Sequence, residues 1–305
     1  MSVVESGGRR RWSRLAGGAL AATMGLCLLL GVPPVRAAYW FVHPPRRRLT
    51  EEERSLARRQ LPGLEDVVLT TRDGLVLRGW FVPGSRRDAV VLVHGLTDNR
   101  AELLPEAEIL SAKGHGVLLY DSRASGDSDG DTATWGDRER LDVAAALDFL
   151  GARADVDAAR VGAYGFSVGS TTVALAAVED ERIHAVLLGP IWPTLEDELK
   201  RKMPRFAGLS AAIGTAAFGA FGVGVQALRP IDVIGKIPPR PLMLISGSVD
   251  DDTPPAIMER VHAAVPSAPW WLVPGAAHGH YAEVAPVEYP RRLAGFFDAA
   301  LADGR

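Results

Sequence analysis

The chain has 305 residues, room for one large domain or two small ones, and its 47% hydrophobic and 23% charged content fits a globular protein with a full core. A formal net charge of −3 provides no basic surface on the scale that nucleic acids require, so that class of partner is excluded. The single cysteine, Cys27, rules out an intramolecular disulfide and any cysteine-based zinc site.

At the N-terminus a basic segment (1–14) with Arg9, Arg10, Arg11 and Arg14 precedes an uncharged run over residues 15–32. As a helix that run is roughly 27 Å long at about 1.5 Å per residue, close to the ~30 Å hydrocarbon thickness of a bilayer. Tyr39, Trp40 and Phe41 follow in the manner of an interfacial aromatic belt. The expectation is a single membrane anchor over residues 15–42, with the arginines before the span placing the bulk of the chain outside the cytoplasm. A cleaved signal segment is the competing reading, with Val35-Arg36-Ala37 as the cleavage pattern and a secreted product. Residues 43–62 are polar, charged and bounded by prolines, and read as a linker to a folded part at 63–305.

From there strand and helix patterns alternate. Residues 65–71 and 75–83 are β-branched runs around Asp73-Gly74, which predicts a hairpin. Short apolar strands are expected at 89–93, 116–120, 161–164, 184–188, 241–246 and 270–273. Helices are expected at 101–113, 137–150, 168–178, 254–264 and 287–301. This alternation means βαβ units and a mostly parallel, eight-stranded sheet with helices on both faces. Ligands on such sheets bind beyond the carboxyl ends of the strands. One insertion, at about 191–237, breaks the rhythm. Its stretch 206–228 is uncharged and rich in Gly and Ala, yet a membrane span there would split the sheet across the bilayer; it reads as a small helical lid.

Gly165-Phe166-Ser167-Val168-Gly169 fits G-x-S-x-G between a predicted strand and a predicted helix. A serine on so sharp a turn needs small neighbours two positions to either side, and the new helix points N–H groups at developing negative charge. The pattern recurs at Gly126-Asp127-Ser128-Asp129-Gly130, but no strand leads directly into it and no helix follows, so Ser128 is set aside. A serine hydroxyl attacks only when a base takes its proton and a further group orients that base. In the order Ser, acid, His, the acid follows a late strand and the histidine the last strand. Those positions hold Asp250, with Asp251 and Asp252 as neighbours, and His278, with His280 two residues on. Asp252 reads as the N-cap of the next helix. Oxyanion donors are expected from the N–H of Val168, directly after the nucleophile, and of Leu96, in the His94-Gly95-Leu96 loop after the third strand. His94 reads as a structural loop residue.

These residues, together with Asp121-Ser122-Arg123-Ala124-Ser125-Gly126-Asp127-Ser128 and Trp135-Gly136-Asp137-Arg138-Glu139, resemble the α/β-hydrolase superfamily over about 65–301. Within it the resemblance is closest to bacterial, often membrane-anchored serine hydrolases with a serine-aminopeptidase-like (BEM46-like) domain. That family usually has Gly where Ala124 stands, and often where Ser170 stands. The resemblance implies the α/β-hydrolase fold and a triad of Ser167, His278 and Asp250 that cleaves a carboxylic ester or thioester through an acyl-enzyme. No metal or organic cofactor is implied. The Gly, Ala and Phe content of the lid points to an apolar acyl group. Three rivals stand beside this reading: a peptidase or amidase in which Glu196, Asp197 and Glu198 hold a substrate amine, a haloperoxidase-like or lyase activity on the same triad, and a non-catalytic binding protein.

Overall fold

The computed structural model describes residues 32–203 and 208–302. Its strands are β1 (Glu65–Thr70), β2 (Val76–Val82), β3 (Ala89–Val93), β4 (Gly116–Tyr120), β5 (Val161–Gly165), β6 (Ala185–Leu188), β7 (Leu242–Gly247) and β8 (Trp270–Val273). They form one sheet in the order β1-β2-β4-β3-β5-β6-β7-β8. The predicted hairpin is present, with β1 and β2 antiparallel and Thr70 opposite Val76. β2 runs antiparallel to β4, and every pair from β4 onward to β8 is parallel.

Every residue of β3, β4, β5 and β6 is buried, because both sheet faces are covered. The period of two assigns alternate residues to opposite cores. Val91 joins the core built with Val143 and Leu147 of α4 (Glu139–Gly151) and Val173 of α5 (Val168–Glu179). Val90 and Leu92 join the opposite core, with Ala107 and Leu110 of α3 (Leu104–Ser111) and Leu293 and Phe297 of α10 (Glu288–Ala300). The remaining helices are α1 (32–42), α2 (Glu51–Gln60), α6 (Leu195–Lys202), α7 (Gly208–Ala220), α8 (Pro255–Ala263) and the single turn α9 (Tyr281–Val284).

The insertion between β6 and β7 carries α6 and α7, which build a third core with Trp135 and Trp192. α1 closes that core from the other side through Ala38 and Val42, both fully buried. This revises the reading of Phe41 as part of an interfacial belt with Tyr39 and Trp40: Phe41 stacks on Trp135 with ring centroids 5.5 Å apart, while Tyr39 and Trp40 stay about half exposed. The rest of the expected anchor, residues 15–31, lies outside the described residues. Among the described residues no helix is long and apolar enough to cross a membrane.

Residues 43–62 also depart from expectation: half of that supposed linker is α2. Thr50 caps it, accepting from the Glu53 N–H at 3.2 Å while its own N–H donates to the Glu53 carboxylate at 2.8 Å. Ala57 and Leu61 are fully buried on its inner side, and Arg54 reaches Asp127 at 2.6 Å. Three of the six arginines and all three glutamates that made this stretch look like a solvated linker sit instead on a helix docked over the loop that follows β4.

That loop is pinned from within. Asp121 accepts from the Arg100 and Asp127 N–H groups at 2.8 and 2.7 Å, and its carboxylate pairs with the buried Arg100 guanidinium. Ser128 is buried, donates to the Asp121 carbonyl at 2.6 Å and accepts from the Arg78 N–H at 2.8 Å, so its hydroxyl is fully engaged in holding the loop to β2. Ala124, where the family usually has Gly, sits at φ 59° in the left-handed region. An alanine there costs about 1–2 kcal/mol, against the 0.5–1 kcal/mol or so of extra chain entropy that glycine loses on folding. Ala124→Gly should therefore raise the unfolding free energy by about 0.5–1 kcal/mol in urea titration; a decrease would show that this backbone strain is not expressed in stability.

Candidate active site

The turn from β5 into α5 is built by steric necessity. A Cβ on Gly165 would lie 2.3 Å from the Gly169 carbonyl oxygen, and one on Gly169 would lie 2.1 Å from the Val93 carbonyl oxygen. Only hydrogen at both positions lets α5 start hard against β3 and β5. The serine between them is forced to φ 55° and ψ −120°, a conformation that L residues adopt only when the surroundings impose it. Ser170, the second departure from the family pattern, donates to the Gly165 carbonyl at 2.6 Å and so adds a tie across the same turn.

Two further loops converge on this turn from the carboxyl ends of β7 and β8. They are zipped together by backbone bonds from Ser248 to Val273 and from Val249 to Ala276, both 3.0 Å. A Cβ on Gly247 would stand 2.2 Å from the Ala276 carbonyl oxygen, so the crossing demands glycine. The consequence is that Asp250 and His278 meet. Asp250 is 2% exposed and accepts from His278 Nδ1 at 2.8 Å through one oxygen. Its other oxygen accepts the Asp252 and Thr253 N–H groups at 2.8 and 2.7 Å. An acceptor-only partner fixes the proton on Nδ1 and leaves Nε2 with its lone pair free to accept. The His278 ring is steadied by Phe166, 4.9 Å away between centroids.

Ser167 and His278 line one cavity of about 260 Å³. Leu96 and Val168 form another part of its wall. Among the described residues neither the Leu96 nor the Val168 N–H has a protein acceptor. The loop carrying Leu96 is held by His94, whose Nε2 accepts the Ser122 N–H at 3.0 Å while Nδ1 lies 2.7 Å from the Gly95 carbonyl. Burial pushes the His94 pKa down, which keeps it neutral and structural as expected. Among the described residues no group of three or more His, Cys, Asp or Glu is placed to hold a metal ion.

Asp252 does not cap the next helix; the residue before α8 is Pro254, with no side-chain cap bond. Asp252 turns into the cavity instead, 2.6 Å from Lys202 of α6 and 3.7 Å from His278 Nε2. Desolvation works to raise its pKa, but Lys202, His278 and Arg201 outweigh it and hold the carboxyl below its ordinary value. Asp251 is exposed. The three acidic residues of α6 are all paired: Glu196 with Lys200 at 2.6 Å, Asp197 with Arg260 at 2.9 Å, and Glu198 with Arg201 at 2.9 Å.

Sequence reasoning missed two parts of the site. The first is the aromatic wall. Phe41 from α1, Trp135 and Trp192 line the cavity, and Trp135 Nε1 donates to the Phe41 carbonyl at 3.1 Å. The second is Glu102, in the short 3₁₀ turn Arg100–Leu103 ahead of α3. Its carboxyl accepts the Gly95 N–H at 2.7 Å and lines the cavity, where desolvation pushes its pKa up to about 8. No sequence pattern marks such a residue, because its partner is a backbone N–H.

With this geometry in place, comparison with known proteins is informative. Residues 90–233 match the family described as "Alpha/beta hydrolase family". An uncharacterized protein of Mycobacterium tuberculosis is 30% identical over 224 residues, covering 72% of this chain and 73% of its own length. The esterase Pf2001 of Pyrococcus furiosus superposes with a TM-score of 0.71 at 25% identity, covering 86% of this chain and 99% of that one. The thiohydrolase aneE of Aspergillus aculeatus is 30% identical over 142 residues, 45% of this chain and 44% of its own. This chain belongs to the α/β-hydrolase family and is an enzyme of that fold.

The raised pKa of Glu102 has a consequence for stability. The unfolded group titrates near 4.5 and the folded one near 8, so between these values the folded state holds a proton that the unfolded state has released. Its contribution is fully present below the lower value and is lost as pH rises through the upper one. Denaturant melts from pH 5 to 8.5 should show wild-type stability declining relative to Glu102→Gln, with the gap widening in favour of the variant as pH rises. Parallel curves would contradict the shift.

Proposed function

We propose that the protein is a serine hydrolase that cleaves carboxylic esters or thioesters through a triad of Ser167, His278 and Asp250. The observation that carries this reading is the 2.8 Å bond between His278 Nδ1 and a buried, doubly tethered Asp250, in a histidine that shares its cavity with a serine on a strained strand-to-helix turn. In the proposed cycle His278 Nε2 takes the Ser167 proton as the hydroxyl attacks the carbonyl carbon. The tetrahedral oxyanion forms where the Leu96 and Val168 N–H groups are free to donate. Collapse breaks the bond to the alcohol or thiol, which leaves with the proton now on His278. Water then repeats the sequence on the acyl-enzyme and releases the acid. Asp250 keeps its charge throughout and stabilises the imidazolium. The acyl group lies against Phe41, Trp135 and Trp192. The esterase and thiohydrolase names among the similar proteins support this choice over amide cleavage. So does the pairing of Glu196, Asp197 and Glu198 with cations, which leaves none of them free for a substrate amine.

On the same reading the chain is a BEM46-like member of the family, held to a membrane by the uncharged run at 15–32 with the catalytic domain outside the cytoplasm. α1 then leads from the bilayer directly into the cavity wall at Phe41. Retention of the full-length protein in membranes after alkaline carbonate washing is the expected result; release of a shortened soluble form would favour signal cleavage.

The nucleophile is tested with the full-length enzyme and p-nitrophenyl esters of increasing chain length. Ser167→Ala should lower kcat by at least about 10³-fold. Ser128→Ala should retain turnover and lose about 1–3 kcal/mol of stability, because it deletes a buried hydroxyl with two partners. Turnover surviving in Ser167→Ala would overturn the mechanism.

A further inference from the structure

A second cavity, of about 290 Å³, lies on the far side of His278 and shares Glu102, Phe166 and His278 with the first. The two differ in what else they contain. Ser167, Leu96 and Val168 line only the first, so the carbonyl carbon and its oxyanion belong there. Of the proposed triad only His278 lines the second, which lies between α3 and the loop from His278 to α9. In the proposed cycle the departing oxygen must meet the proton on His278, so the group attached to it has to extend towards that side of the imidazole. This division rests on the triad reading given above.

The chemistry of the two walls also differs. Beside the shared Glu102, the first cavity presents Phe41, Trp135 and Trp192 with the paired charges of Glu198, Lys202 and Asp252, whereas the second presents Glu106, His280 and Glu283 around an apolar floor of Leu103 and Ala282. Glu106 is fixed by the Tyr289 hydroxyl, which donates to it at 2.6 Å. Burial raises the pKa of Glu106 and carries that of Glu102 to about 8, so at neutral pH the Glu102 carboxyl holds its proton and offers a donor as well as an acceptor. A paired donor and acceptor suits a hydroxyl, which is both. Tyr289 and the Gly95 N–H each engage one oxygen of these carboxyls, and an aliphatic alcohol would offer nothing to the other oxygen of each, a mismatch that costs a site more than a lost apolar contact.

We propose that this second cavity is the leaving-group subsite and that it takes the alcohol portion of an ester bearing further free hydroxyls, of the glycerol type. The cleaved bond is the one between the acyl carbon and the alcohol oxygen; the alkoxide takes its proton from His278 and the polyol departs through the mouth formed by His280 and Glu283.

The test uses the full-length enzyme and four butyrates that form the same acyl-enzyme: the methyl, propyl, 2,3-dihydroxypropyl and choline esters. Because deacylation is common to all four, differences in kcat/KM report on the leaving group alone. The dihydroxypropyl ester should exceed the propyl ester by about tenfold, the worth of one or two hydrogen bonds. Ala282→Trp, which fills the cavity, should lower the dihydroxypropyl-to-methyl butyrate ratio by about tenfold, and the exposed Glu283→Leu should lower the dihydroxypropyl-to-propyl ratio. Labelling of each variant by a fluorophosphonate reports whether the nucleophile and fold are intact. Equal kcat/KM for the propyl and dihydroxypropyl esters, or ratios unmoved in labelled variants, would overturn the subsite. Preference for the choline ester would overturn it in favour of a cationic alcohol. A folded enzyme that neither labels nor hydrolyses any of the esters would overturn the triad itself.

Discussion

The site depends on how closely α5 approaches the sheet. Gly165 and Gly169 remove the two Cβ atoms that would otherwise strike the Gly169 and Val93 carbonyls, and the helix can then begin directly at the end of β5. That contact forces Ser167 into its strained backbone conformation, and among the described residues the Val168 N–H that follows it has no backbone acceptor. Strain of this kind persists only where packing over-determines it. Here the packing is supplied by β3, β5 and the Ser170 hydroxyl bonded back to Gly165.

The same logic of close backbone crossings recurs around the cavity. Gly247 lets the loops after β7 and β8 touch, and the bond between Asp250 and His278 adds to the backbone bonds that already join them. His94 joins the loop after β3 to the loop after β4, and Glu102 holds the Gly95 N–H. The residues of the candidate site are therefore carried on loops and turns fastened to strand ends. Charges cluster on the α6 side of the cavity, where Asp252 ties the loop after β7 to Lys202.

The fold was legible from the sequence where one local rule dominates. Strands β3 to β6 are continuous apolar runs, and the candidate serine could be placed after β5, the acid after β7 and the histidine after β8. The misreadings came from rules that point two ways. Aromatic residues Tyr39 to Phe41 look alike whether they face headgroups or a protein core, and only the partner Trp135, 94 residues further along, makes Phe41 part of the cavity. Residues 43–62 were dominated by their charge, although the capping pair Thr50 and Glu53 and the inward Ala57 and Leu61 were there to be read as a helix. Asp252 before Pro254 fits a cap by type, yet the attraction of Lys202 and His278 draws it elsewhere. Glu102 carries no pattern at all, because what it binds is backbone.

The most direct test of the central claim is chemical. Full-length enzyme is reacted with a fluorophosphonate, digested, and the modified residue located by mass spectrometry. Stoichiometric modification of Ser167 alone, lost when His278 is replaced by alanine, is the predicted result, because the strained serine attacks only with its base in place. Modification at any other serine, or labelling of Ser167 that is indifferent to His278, would contradict it.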